Sequence, residues 1–335
     1  MKYFKKLKTR HKVTAIGLAV VLALGITAAA TINVSSVQAQ DLALDKTYGV
    51  EGIETQAHLM NLLKIASALE KKATAGDAAA QYKLGTYYYR GMIVGQDIGR
   101  AIKWLNLAHK QGHLEASGLL GELYDRYSND NQGRVMAFRY LKIAADGGLA
   151  EGQLDLGVMY YLGRGVDQDY NKALSWFIKA SRQGSARAEY YIGIVYELGR
   201  GVAIDHAKAL AWYTMSANNG TEYAAYNAGI YYDQGRSGPV DKSEAIKYYT
   251  IAAKLGSSKA QYKLGNMYYL GIGTDRNIED AFVWLTLARM QGHKRAKKVV
   301  SLVIKKMTVK QVRSAGARID KILQASMTNK FVLVL

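Results

Sequence analysis

Apolar and small residues fall at helical spacing along most of the chain, and the whole pattern returns every 36 residues. Within one unit, Leu156, Gly157, Tyr160 and Tyr161 share a face of a first helix, and Ala173, Trp176, Phe177 and Ala180 share a face of a second. Steps of 36 from Gly85 meet glycine every time as far as Gly265, and tyrosine follows three positions later from Tyr88 to Tyr268. Alanine recurs from Ala101 to Ala281 with tryptophan or tyrosine three residues on, and each unit closes on glycine, from Gly112 to Gly292. Six copies in one register predict six helix hairpins over residues 78–292.

The turns Gly163-Arg164-Gly165-Val166 and Gly199-Arg200-Gly201-Val202 separate the two helices of their units, glycine supplying the left-handed residue that ends a helix. A glycine inside the first helix costs about 1 kcal/mol relative to alanine. Its recurrence therefore predicts a close approach by the alanines of the second helix, with aromatics filling the wedges between neighbouring repeats. The Tyr88 column reads as core, and the next, Tyr89, Asp125, Tyr161, Glu197, Asp233 and Tyr269, varies in the way that suits a surface.

The pattern Ala-x-x-x-Leu-Gly-x-x-Tyr, Gly-x-Gly-Val, Asp, Ala-x-x-Trp and Ala-x-x-x-Gly resembles the Sel1-like repeat, a relative of the tetratricopeptide repeat. The resemblance implies an all-α fold, a right-handed α-solenoid of stacked antiparallel helix pairs whose first helices line a concave surface. The second unit departs from the pattern, because Tyr127-Ser128-Asn129-Asp130-Asn131-Gln132-Gly133 lacks the glycine pair. A different turn is expected there, with Tyr124 and Ala137 holding register. Residues 40–77 read as a linker and an amphipathic capping helix, Met60 to Thr74. Residues 293–335 read as a basic cap and tail with helices over 294–306 and 309–325, the second opened by a capping box of Thr308 and Gln311.

Residues 1–39 have the form of a signal peptide: six Lys or Arg and no acid as far as Lys12, an apolar stretch from Val13 to Ala30, and small residues at Val37-Gln38-Ala39. The apolar stretch is just long enough for an uncleaved membrane anchor to be the competing reading. Either form predicts export, to the periplasm, the cell surface or the medium. The net charge of +18 sits at the two ends, since residues 294–335 hold eleven Lys or Arg against Asp320 alone. Between the ends, 28 basic residues meet 26 acidic ones, which leaves no basic stripe for nucleic acid. The basic tail itself suits either a solvated cap or an anionic membrane or wall polymer.

Few residues suggest chemistry. With no cysteine, disulfides, thiolate metal sites and a cysteine nucleophile are excluded, as is the penicillin binding linked to cysteine-rich relatives of the family. The six histidines lack ligand spacing, and His113 and His293 each follow a closing glycine, where a turn role is expected. Asp97, Asp169, Asp205, Asp241 and Asn277 share a column just ahead of the second helix, the place of an N-cap. The Asn129–Gly133 loop lacks the closing glutamate of a calcium site. No phosphate loop or nucleophile elbow is present. No catalytic, cofactor or metal site is expected.

The expected function is that of an exported, non-catalytic scaffold that binds a protein partner, as the resemblance implies. The alternative is a protein that binds or processes peptidoglycan or another envelope polysaccharide. The positions two before, one after and five after the column glycine lie on one helix stripe and turn apolar in the middle of the array. Val158, Leu162, Tyr191, Ile194, Leu198 and Ile230 are accordingly the candidate partner-binding residues, packing against the preceding second helix being the competing reading.

Overall fold

The computed structural model describes residues 53–92 and 95–332; the predicted signal segment lies outside the described residues. Among the described residues the chain forms helices and no strand. The helices are α1 (Ile53–Thr74), α2 (Ala78–Arg90), α3 (Ile98–Lys110), α4 (Leu114–Tyr127), α5 (Asn131–Asp146), α6 (Ala150–Leu162), α7 (Tyr170–Ser181) and α8 (Ala186–Leu198). They continue as α9 (His206–Asn218), α10 (Glu222–Gln234), α11 (Lys242–Lys254), α12 (Ser258–Leu270), α13 (Ile278–Met290), α14 (Lys294–Ile304) and α15 (Val309–Val332). Even numbers from α2 to α12 are first helices of repeats and odd numbers from α3 to α13 are second helices. The chain divides into two packed units, one ending at Gln168 and one starting at Asp169.

In the first unit α2/α3 and α4/α5 form hairpins, with α1 against α2, α3 against α4 and α5 against α6. In the second unit α8/α9, α10/α11 and α12/α13 form hairpins, α7 packs against α8, and both α14 and α15 pack against α13. Covered in this way, α13 is buried at every position from Ala281 to Ala288. At the other end, α1 takes the place of a second helix: its Ala73 is buried and Gly76 has the positive φ shared by the closing glycines.

Local sequence sets the ends of these helices. Gly199 closes α8 at φ 65°, in the left-handed region where a side chain is strained. Asp205 opens α9 by accepting a hydrogen bond from the Lys208 N–H at 2.9 Å, and Asp97, Asp169, Asp241 and Asn277 do the same for their helices. The second repeat solves its missing glycine pair differently. Asp130 caps at 2.8 Å onto Gly133 N, three residues before the column position, so α5 runs to 16 residues where α3 has 13. Thr308 and Gln311 form the reciprocal capping box at the start of α15, with N–H donors satisfied at 2.9 and 3.3 Å.

The column glycine makes room for a different neighbour from the one expected. A Cβ built on Gly193 would lie 2.6 Å from Tyr213 Cε1, and one on Gly229 would lie 2.5 Å from Tyr249 Cδ1. Leu105, Leu141 and Leu285 hold the same place opposite Gly85, Gly121 and Gly265. The side chain seated in the gap therefore stands twenty positions on, and it is large. The alanines contribute backbone, with the carbonyls of Ala101 and Ala281 at 3.2 Å from the built positions on Gly85 and Gly265.

A second column, four before the glycine, ties three successive helices together. Buried Gln81 donates to the Ala73 carbonyl at the end of α1 at 3.0 Å and accepts from Gln111, just past the end of α3, at 2.8 Å. Gln261 repeats this with Ala253 and Gln291, at 3.1 Å each. Each such amide adds a second donor to a carbonyl in the last turn of the preceding helix, which already accepts from the closing glycine.

Candidate partner-binding surface

Each first helix buries the side that carries the column glycine and leaves an opposite side available. Six positions before that glycine, the side chains are largely open; two before and one after, they are mostly half-buried; five after, they are exposed. In the first unit this face carries Val158, half-buried, and Leu162, exposed. In the second unit it carries Tyr191, Ile194, Leu198 and Ile230. Tyr191 stacks on Phe177 of α7 with ring centroids 5.0 Å apart and planes at 14°. Ile194 and Ile230 are half-buried and pack on the core of their unit, whereas Leu198 is 50% exposed. The predicted stripe is thus divided: Leu162 and Leu198 stand clear, and the others lie at the margin of packed layers.

Sequence reasoning missed an aromatic group on the same face. Tyr223 of α10 is 65% exposed, and its ring lies 6.1 Å from that of Tyr190, which in turn neighbours Tyr191 at 5.9 Å and Tyr213 at 5.8 Å. The signal was available six before the glycine, where only Tyr223 breaks a column of Ala79, Glu115, Glu151, Arg187 and Lys259.

The column after Tyr88, expected to face solvent, is half-buried and binds neighbouring repeats to one another. In the first unit the Tyr89 hydroxyl donates to Glu122 at 3.0 Å and accepts from Arg126 at 2.6 Å, and Arg164 reaches Asp125 at 3.1 Å. In the second unit Glu197 accepts from the Tyr213 hydroxyl at 2.5 Å and from Arg236 at 2.8 Å. Asp233 accepts from Tyr249 at 3.2 Å and from Lys242 at 2.6 Å, with Lys263 at 3.4 Å. The side chains differ in kind but share a role, pairing with the repeat that follows.

Electrostatics follow from these pairs. Burial, reinforced by Glu122, pushes the Tyr89 phenol up to about 12, and burial with Glu197 does the same for Tyr231. Tyr213 and Tyr249 are raised further by burial and by their carboxylate partners. Burial pushes Asp233 upward, but the hydrogen bond from Lys242 and the charges of Lys263 and Lys242 prevail, holding it below the ordinary carboxylate value. His113 and His293 sit at helix N-caps, stacked on Tyr82 and Tyr262 at 4.6 and 4.3 Å, and so serve packing. Among the described residues no group of three His, Asp or Glu side chains could hold a metal ion. Also among them, no helix is long and apolar enough to cross a membrane.

The family pattern of the Sel1 repeat matches residues 78–113, 130–149, 150–185, 186–221, 222–257 and 258–293. The chain belongs to the Sel1 repeat family. The unmatched residues 114–129 take in α4 and the start of the aberrant turn in the second repeat. A Sel1 repeat protein from Oxalobacter formigenes is 33% identical, with 70% of this chain and 68% of that one covered at a TM-score of 0.64. A protective antigen of uropathogenic Escherichia coli with the same repeat fold is 25% identical over 77% of this chain and 71% of its own, at a TM-score of 0.33. An immunity protein from Pseudomonas aeruginosa is 21% identical over 68% and 81%, at a TM-score of 0.41. No curated protein matches. Sel1 repeat proteins are generally protein-interaction scaffolds, and their fold is typically non-catalytic.

Proposed function

We propose that this Sel1 repeat protein is an exported scaffold that grips a protein partner along the exposed face of its first helices. The observation that carries this reading is the group on α8 and α10: exposed Leu198 and Tyr223 beside half-buried Tyr191, Ile194 and Ile230. Apolar side chains left open on successive first helices form an anchor row that a helix or an extended segment would cover. In the first unit, Val158 and Leu162 offer a second, separate foothold. Export rests on the basic, apolar and small-residue order of residues 1–39. The same reading gives α14 and α15 a second contact, with an anionic component of the cell envelope.

The test is capture from an envelope fraction by the tagged full chain. Leu198→Ser with Tyr223→Ser is expected to lose the captured protein at an unchanged melting temperature, because both side chains are at least half exposed. Ile194→Ser is expected to lower the melting temperature through lost packing, by about 1–3 kcal/mol in stability. Undiminished capture by the double variant would refute this surface. Recovery of the chain in the cytosolic fraction would refute export.

A further inference from the structure

We infer that the α14–α15 end of the protein docks on an anionic lipid bilayer, seating the turn between the two helices in the headgroup layer. This deepens the second contact proposed above and rests on it. Residues 294–325 carry ten Lys or Arg and one acid. Arg318 pairs with Asp280, and Lys306 lies over the Tyr269 ring at 5.2 Å. Lys294, Lys297, Lys298, Lys305 and Lys310 are exposed and, among the described residues, none has an ion-pair partner. Elsewhere in the chain, cations meet acids across repeats, as Arg164, Arg236 and Lys263 do. Lys294, Lys297 and Lys298 fall at helical spacing on one side of α14, and Lys305, at its C-cap, continues the same line.

Charge alone would suit any polyanion. The apolar residues at the turn decide for lipid: Val309 is 77% exposed and Leu302 54% exposed, with Ile304 also exposed between Lys305 and Leu302. A soluble polymer gains nothing from these side chains. A bilayer takes them into its interface while its headgroups meet the lysines on either side. The buried sides of the helices, at Val300, Val303, Ala315 and Ile319, are already spent on the core, so docking asks for no unfolding of the cap.

The absence of native cysteine allows a clean test. Val309→Cys in the full chain carries a polarity-sensitive dye, and the labelled protein is titrated with vesicles of phosphatidylglycerol and phosphatidylcholine, with pure phosphatidylcholine vesicles, and with soluble polyphosphate. The expected result is a blue shift on the anionic vesicles alone, weakened by salt. Lys297, Lys298, Lys305 and Lys310 changed together to Gln should weaken anionic-vesicle binding by roughly 600-fold, each cation being worth about fivefold. That variant keeps the N-terminal segment, so any binding due to the segment is common to both proteins. Binding of polyphosphate, weakened in the Gln variant, with no dye shift on vesicles would overturn docking on lipid and leave the second contact standing. Vesicle and polymer binding both unchanged by the four substitutions, or both absent, would overturn the two together.

Discussion

Alanine at Gly193 isolates the packing logic of the repeat. In an isolated helix the change is favourable by about 1 kcal/mol. Here the added Cβ falls 2.6 and 2.7 Å from two ring atoms of Tyr213, roughly 1 Å inside the usual contact distance. The ring is fully buried and its hydroxyl is held on Glu197 at 2.5 Å, so it swings aside only by giving up that bond. Overpacking costs about 1–3 kcal/mol and the hydrogen bond about 1 kcal/mol. Set against the propensity gain, the net loss is about 1–3 kcal/mol, a fall of roughly 3–10 °C in melting temperature for a unit of this size. Gly316→Ala is the matched control: it lies within α15, has nothing within 4 Å of its would-be Cβ, and should gain about 0.5–1 kcal/mol. Thermal unfolding followed by far-UV circular dichroism reads both. Equal or higher stability in Gly193→Ala would show that the α8–α9 interface yields freely and that the glycine column has another cause.

Three further outcomes follow from the polar columns. The phenols of Tyr89 and Tyr231, ordinarily at 10.0 and raised to about 12 in the folded chain, stabilise fully below pH 10, and that stability drains away as pH rises toward 12; melting temperatures across this range should fall steeply, and less steeply in Tyr231→Phe. Asp233, lowered from 3.8, stabilises at higher pH and loses that contribution as acid takes it down through its folded value, so Asp233→Asn should flatten the acid limb of stability below about pH 4. Buried Glu189 stands where Gln81, Gln153 and Gln261 donate to the carbonyl eight residues back; Glu189→Gln should therefore raise stability by about 1 kcal/mol in a melt at neutral pH, and a loss would mean that its present bond to Asn219 outweighs the one gained.

Period, hairpins and caps were legible because each recurs as one residue type: glycine at Gly85 and its successors, aspartate ahead of the second helix, glycine at the close. What stayed hidden depends on phase or on chemical equivalence. Nothing in a glycine column names its partner, and the twenty-residue offset to Leu105 or Tyr213 emerges only when two helices are laid together. The column of Tyr89, Asp125, Glu197 and Asp233 looks variable by letter, yet each member pairs with the following repeat. The candidate stripe was half legible for the same reason. Spacing places Tyr191 and Ile194 on one face, but it does not tell how far α7 and the core rise against that face.

The second repeat carries a lesson in accounting for length. Its turn has no glycine pair, its cap moves three residues toward the N-terminus, and α5 grows by nearly one turn, yet Ala137 and Tyr140 stay in step with their columns. Phase is therefore kept by the span from one closing glycine to the next, and the stretch between the helices is free to trade loop for helix. That stretch is where new segments can be spliced in, or a single unit made distinguishable from its siblings, without disturbing the stacking of the rest.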